Sequence, residues 1–267
     1  MALETREDLI GQFTMPGSSV IITGAGRGIG EATAHLFAAA GANVAVCDLH
    51  ADRVEKVAGE IEARWGVKTV GMACDVTDEA ACERFAGAAV NKFGGLTSLI
   101  NNVGWGEPVP ILGCTTEYMV DAFKLNTVSA YTMSKLCAPH LEKSDNGSIT
   151  MAGSMVGESP APEFIAYSIS KAALKHLVRG MANGLGPKIR VNMVTIGSIN
   201  TVGTYEVGYD QAMTDRLAKK MVMGRRGDVY DVANAFLYLA SPAGKWVTGE
   251  DLRIDGGGSK ITMMPTE

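Results

Sequence analysis

The 267-residue sequence lacks any run near the ~20 consecutive apolar residues that a membrane span needs. Its first residues, MALETREDLIGQF, carry Glu4, Arg6, Glu7 and Asp8 where a secretory leader needs an apolar stretch. A cytoplasmic chain without a membrane partner is therefore expected. Cysteine is scarce and odd in number: Cys47, Cys74, Cys82, Cys114 and Cys137 have no metal-type spacing and read as free thiols of a reducing compartment. His35, His50, His140 and His176 are scattered, so no metal site is expected. There is no basic excess. A net charge of −5 disfavours nucleic acid and anionic membranes, both of which reward basic surfaces. No repeat, linker or low-complexity tract divides the chain. Length alone allows one or two domains, and the unbroken pattern points to one, spanning residues 1–267.

What is present is ordinary globular material, 46% hydrophobic and 20% charged, arranged in a regular rhythm. Short β-branched runs occur at Ser19–Thr23, Asn43–Cys47, Thr69–Ala73, Leu96–Asn101, Ser148–Met151, Arg190–Val194 and Asp251–Asp255. Such runs suit strands buried on both faces. Between them, apolar residues at three- and four-residue spacing predict helices over Ile29–Ala40, Arg53–Arg64, Asp78–Phe93, Tyr118–Leu141, Tyr167–Leu185 and Tyr230–Ala240. Strand then helix, repeated, gives parallel strands with crossover helices. The expected fold is α/β: a doubly wound, Rossmann-type, seven-stranded parallel sheet with helices on both faces. Residues 1–16 read as an arm. Residues 198–228, with four glycines and Met213, Met221 and Met223, break the rhythm and read as a lid over a site.

The first strand runs into Thr23-Gly24-Ala25-Gly26-Arg27-Gly28-Ile29-Gly30, where a helix starts. Glycines let a pyrophosphate approach the backbone, and the helix N-terminus offers it N–H groups. The spacing differs from the usual GxGxxG, so position in the first strand–helix unit carries the nucleotide reading. The second strand ends at Asp48, eighteen residues past Gly30. A carboxylate there can accept bonds from the adenosine ribose and repels a 2′-phosphate, which favours NAD. Arg27 argues the other way, because a guanidinium can pair with that phosphate and admit NADP.

Tyr167 and Lys171 stand four apart in a helical segment and so share one face. A lysine beside a tyrosine favours the phenolate and makes it a general acid/base near neutral pH. Ser154 follows a strand, at the carboxyl edge where ligands bind, and its hydroxyl can hold a carbonyl oxygen. Asn101-Asn102-Val103-Gly104 ends another strand at the same edge. Asn126 lies in the next helix, where an asparagine is ordinarily solvated.

Taken together, these elements resemble the short-chain dehydrogenase/reductase family from about Val20 to Gly258. They are TGxxxGxG at Thr23–Gly30, Asp48, Asp75-Val76, NNxG at Asn101–Gly104, Asn126, Ser154 thirteen residues before Tyr167, YxxxK at Tyr167–Lys171, RVN at Arg190–Asn192, and Asp255-Gly256-Gly257. The resemblance implies that Tyr167 exchanges a proton with the substrate oxygen while hydride passes to or from the nicotinamide. Lys171 binds the nicotinamide ribose, Ser154 orients the oxygen, and Asn126 holds a water in a proton relay. It places Gly24, Arg27, Gly28, Ile29, Gly30, Asp48, Leu49, Asp75, Val76, Asn102, Val103, Gly104, Gly197, Ile199 and Thr201 around the cofactor with Tyr167 and Lys171. It also implies a homotetramer paired through helices Tyr118–Leu141 and Tyr167–Leu185, with the tail after Gly258 near a neighbour. Ile196 stands where the family usually has proline, and Val103 where it has alanine.

Longer stretches, from His176–Arg179 through Arg190–Asn192, from Ala233–Ala235 through Ser241–Ala243, and from Trp246 through Gly258, look like bacterial NAD-dependent hydroxysteroid dehydrogenases of the 7α type. That likeness implies a bile-acid or steroid hydroxyl as the reacting group, 7α ahead of 12α and 3. Trp105, Pro108, Val109, Met155, Val156, Phe164 and the lid methionines are candidate pocket residues beside Ser154 and Tyr167, and their apolar character suits a steroid. A reductase of a sugar or β-ketoacyl thioester is the alternative enzyme. A carrier-borne thioester calls for a basic patch, and Arg225-Arg226 reads instead as a solvated pair. A catalytically silent nucleotide-binding regulator should lack one of Asn126, Ser154, Tyr167 and Lys171, and all four are present.

Overall fold

The computed structural model describes residues 4–203 and 210–258. All seven β-branched runs form strands: β1 (Ser19–Thr23), β2 (Asn43–Asp48), β3 (Thr69–Ala73), β4 (Ser98–Asn101), β5 (Gly147–Ala152), β6 (Ile189–Ile196) and β7 (Asp251–Ile254). They make one sheet in the order β3-β2-β1-β4-β5-β6-β7, with every neighbouring pair parallel. Alternate side chains of a strand leave on opposite faces. In β1 all five residues are buried; Ile21 enters one core, and Val20 and Ile22 enter the other.

Each core is closed by three helices. On one face α4 (Glu79–Phe93), α6 (Ser129–Leu141) and α7 (Ile165–Leu185) contribute Phe85, Met133 and Leu174. On the other α2 (Gly28–Ala39), α3 (Ala51–Trp65) and α9 (Val229–Ala240) contribute Phe37, Ile61 and Phe236. The three phenylalanines are fully buried, and truncating such a side chain to alanine costs about 3–5 kcal/mol. The chain leaves β1 toward β2 and returns to its other side at β4. The loops after β1 and β4 therefore diverge, which opens a crevice at the carboxyl ends of the strands.

The expected helix over Tyr118–Leu141 is three elements: α5 (Thr116–Phe123), a π-helical turn (Lys124–Val128) and α6. Side chains that bond to backbone carbonyls compete with the helical ladder here. Asn126 Nδ2 donates to the Ala122 carbonyl at 2.8 Å and Thr127 Oγ1 to Ser170 across on α7 at 2.8 Å. Ser129 donates to the Leu125 carbonyl. The residues expected as an arm carry a short helix, α1 (Arg6–Gly11), opened by a reciprocal Thr5–Asp8 cap. Gln12, just past α1, accepts a bond from the Ala243 N–H at 2.9 Å. Within the expected lid, α8 (Gln211–Lys219) is capped by Asp210, which accepts from the Met213 N–H at 2.7 Å. Residues 204–209 of that lid, and the tail after Gly258, lie outside the described residues.

Candidate active site

The turn between β1 and α2 is built on Gly24 and Gly28, whose φ angles of 63° and 62° lie in the region that disfavours side chains. A Cβ on Gly30 would sit 2.2 Å from the Gly24 carbonyl oxygen, so α2 starts directly against the turn. Gly30 is therefore a packing residue behind the site. In front lies a cleft of ≈ 370 Å³. Its walls include Gly24, Arg27, Gly28, Ile29, Asp48, Leu49, Asp75, Val76, Asn102, Val103, Gly104 and Thr201, all singled out from the sequence. Trp105, expected on the substrate side, also lines this cleft. So do Cys74, Leu125 and Gly203, which sequence reasoning missed. Cys74 has no motif of its own beyond preceding Asp75-Val76. Its thiol is pushed up to about 12, first by its hydrogen bond to Cys47, and so stays protonated.

Two wall residues are already committed to backbone. Asn102 Nδ2 donates to the Thr23 and Gly24 carbonyls at 3.1 and 3.0 Å, tying the end of β4 to the glycine turn. Asp75 Oδ1 accepts from the Thr77 N–H and hydroxyl, both at 2.8 Å. Gly197 and Ile199 are not on this wall. Gly197 sits where a Cβ would lie 2.5 Å from Asp255 Cα. The Ile199 side chain turns away from the cleft, its Cδ1 2.4 Å from the place of a Cβ on Gly227.

The cradle fits an extended dinucleotide. Its lining combines glycines, the α2 N-terminus and a carboxylate, Asp48, as phosphates and a ribose require.

At the same sheet edge stands the catalytic set. Ser154 follows β5 and caps a 3-10 turn, Met155–Gly157, accepting from the Val156 N–H at 3.4 Å. Its hydroxyl lies beside the Tyr167 phenol and lowers its pKa. Tyr167 and Lys171 share a face of α7, as their spacing predicts. Lys171 Nζ donates to the Ala152 carbonyl at 2.8 Å and lies 5.7 Å from the Tyr167 ring centroid. Burial holds the phenol above its ordinary pKa, and only the Ser154 hydrogen bond lowers it. Burial brings Lys171 down to about 7. A Cβ on Gly104 would lie 2.4 Å from Lys171 Nζ, so the ammonium sits directly behind the cleft wall.

Asn126 is buried, 1% exposed, contrary to a solvated helix asparagine. Its Oδ1 accepts from the Trp105 N–H and its Nδ2 donates to the Trp105 carbonyl, both at 2.9 Å. With Ala122 also bound, both amide protons are spent, so the side chain fixes the loop after β4, and its Oδ1 keeps one lone pair that can accept from a water. Beyond Trp105, the loop crosses the base of the phenol: a Cβ on Gly106 would lie 2.4 Å from Tyr167 Cβ. Near Pro108 it is pinned by the Val109 N–H, which donates to the Glu163 carbonyl at 2.6 Å. Met155 and Val156 lie in the turn after Ser154, and Phe164 caps α7. Of the expected lid methionines, Met221 is buried, Met213 half-buried and Met223 exposed.

The two arginines read as a solvated pair are not one. Arg225 is exposed and paired with Asp231 at 2.7 Å, whereas Arg226 is 3% exposed.

A glycine-lined nucleotide cleft and a serine–tyrosine–lysine set meeting at one edge of a doubly wound sheet define a nicotinamide-dependent oxidoreductase of alcohols and ketones. Residues 24–259 match the family model described as enoyl-(acyl carrier protein) reductase. The 7alpha-hydroxysteroid dehydrogenase of Escherichia coli (strain K12) is 39% identical over 249 residues, which cover 91% of this chain and 95% of that protein. A solved 7 alpha-hydroxysteroid dehydrogenase, complexed with NADH and 7-oxo glycochenodeoxycholic acid, superposes with a TM-score of 0.88 at 38% identity, covering 93% of this chain and 96% of that one. An NADPH-dependent 3-quinuclidinone reductase from Rhodotorula rubra superposes with a TM-score of 0.87 at 33% identity, covering 97% of each chain. The chain belongs to the short-chain dehydrogenase/reductase family. Among the described residues no helix is long and apolar enough to cross a membrane.

Proposed function

We propose that this protein is an NAD-dependent hydroxysteroid dehydrogenase that interconverts a secondary hydroxyl and a ketone on a bile acid or related steroid, at the 7α position. The observation that carries this reading is the likeness to 7alpha-hydroxysteroid dehydrogenase over nine-tenths of both chains. Apolar residues beside the phenol, Met155, Val156 and Phe164, support it. Among close structural neighbours both NADH and NADPH occur, so cofactor choice rests on this chain's own wall. Asp48 lines the cleft, where a carboxylate repels a 2′-phosphate. That favours NAD, with Arg27 on the same wall as the residue that admits some NADP.

When bound, the nicotinamide accepts or supplies the hydride. The chain does the rest. Ser154 holds the substrate oxygen, and Tyr167 takes its proton during oxidation and returns it during reduction. Lys171, behind Gly104, donates to the ribose hydroxyls. Asn126 holds Trp105 and the loop that walls the site. Five free thiols, four of them buried, support a reducing, cytoplasmic setting. Exposed apolar residues on α5–α7 support a homotetramer. The 12α and 3 positions are the alternative sites of oxidation.

The test is reduced-nicotinamide absorbance with purified protein and cholate, chenodeoxycholate or deoxycholate, each with NAD and with NADP. Turnover of cholate and chenodeoxycholate but not deoxycholate, faster with NAD, is the expected result. Turnover of cholate and deoxycholate alone moves the reaction to the 12α position. Silence with all three removes the steroid reading.

A further inference from the structure

Arg226 is a charged side chain with almost no solvent contact, and its bonds join two parts of the molecule that are distant in sequence. Nε donates to Ser198 Oγ at 2.9 Å and Nη2 to the Ile199 carbonyl at 2.6 Å. Nη1 reaches Thr214 Oγ1, on α8, at 3.4 Å. A buried guanidinium is costly unless its donors are satisfied, and its planar fork holds partners in fixed relative positions.

The partners lie on two sides of the site. Ser198 and Ile199 leave β6 toward Thr201, which lines the cofactor cleft and sits 3.7 Å from the place of a Cβ on Gly28. The same strip is held laterally, because the Asn200 N–H donates to the Gly227 carbonyl at 2.8 Å and the Gly227 N–H to the Ser198 carbonyl at 2.9 Å. Thr214 belongs to α8, and the chain just past α8 returns to the reaction site. Met221 Sδ and Met155 Cε lie 2.8 and 3.6 Å from the place of a Cβ on Gly258, and Met155 adjoins Ser154. One guanidinium thus spans from the strip that feeds the cofactor cleft to the helix that feeds the substrate side.

We propose that Arg226 is a positioning residue that couples occupancy of the cofactor cleft to the placement of α8. A ligand that fixes Thr201 fixes Ser198 and Ile199, and through Arg226 holds Thr214 and its helix. The coupling is reciprocal: α8 held in place tightens the cofactor. The proposal rests on the reading that this cleft holds a nicotinamide dinucleotide.

Limited trypsin digestion of the full-length protein tests it, because Arg216, Lys219 and Lys220 put cleavage sites in and just after α8. Saturating NADH should slow cleavage there by about tenfold in the wild type, within the usual range of coupling. Thr214→Val removes only the hydroxyl and leaves the cleft intact. It should still bind NADH, read by tryptophan energy transfer and up to about tenfold more weakly as reciprocity requires, yet at saturating NADH lose the protection to within about twofold. Arg226→Met should lose it too, and Arg226→Lys, which keeps the charge but not the fork, should restore only part. Undiminished protection in Thr214→Val and Arg226→Met, or none in a wild type that binds NADH, overturns the coupling alone. A wild type that shows no energy transfer to NADH overturns the cofactor reading and the coupling with it.

Discussion

Lys171 is 3% exposed, and its ammonium bonds one carbonyl, that of Ala152. Burial lowers its pKa from an ordinary lysine value to about 7. Between that value and the ordinary one near 10.4, the unfolded chain binds a proton that the folded chain does not, so stability rises with pH there. The stabilisation is complete above the unfolded pKa and is lost as pH falls through about 7. In cofactor-free protein, Lys171→Met should therefore raise Tm relative to wild type at pH 6, and the gain should shrink steadily toward pH 10. A Tm difference independent of pH contradicts this. On the proposed reading the lysine serves the cofactor, and the fold without it carries the cost of burial. Its place four residues from Tyr167 was legible in the sequence, because helix spacing dictates a shared face. Its orientation was not: one buried carbonyl decides where the ammonium points. Asn126 teaches the same lesson. An asparagine in a helical pattern reads as solvated until the backbone widens by one residue and turns it inward.

At the scale of elements, the strands were the most legible part. Runs such as Ser-Val-Ile-Ile-Thr in β1 are buried on both faces, and alternation of apolar and polar residues is not needed to find them. The helices on the sheet were legible from periodicity. The break between α5 and α6 was not, because a π turn leaves the three- and four-residue spacing on each side intact. The helix opened by the Thr5–Asp8 cap was not read from the sequence, which gave only an arm there, because so short a helix shows no apolar stripe. Arg225 and Arg226 were misread because neighbouring residues on an irregular segment can face opposite ways, one to solvent and one into the core. Helix faces also carry the assembly prediction. Val120 on α5, Val128 in the π turn, Tyr131 on α6 and Ile169 on α7 are 40–59% exposed, an apolar set on the helices expected to pair between subunits. Sedimentation should give a mass of about four 28.1-kDa chains, and Ile169→Glu should lower it while leaving the far-ultraviolet spectrum unchanged. A wild type that sediments as one chain contradicts the tetramer.

For the whole molecule, the reversal of strand order around β1 does most of the functional placement. It brings the glycine turn after β1, Asp48 at the end of β2 and Asn102 at the end of β4 to one crevice, while β5 and α7 deliver Ser154, Tyr167 and Lys171 to the same edge. Twelve of the cofactor residues expected from the sequence meet there because they lie at or within a few residues of the carboxyl ends of strands, which pattern reading locates well. Gly30, Gly197 and Ile199 fall outside the wall because their roles depend on which side of the backbone faces the ligand. The substrate side depends on how the loop through Gly106 packs against Tyr167, and that packing is set by long-range contacts such as Val109 with Glu163. On the proposed mechanism Tyr167 moves the proton while the dinucleotide bound beside it moves the hydride. The most direct test follows reduced-nicotinamide absorbance with NAD and a hydroxysteroid that the wild type oxidises, and repeats it with Tyr167→Phe. The account predicts a rate lower by about 10²–10⁴-fold in the variant, with NADH binding unchanged. A variant that turns over at the wild-type rate contradicts it.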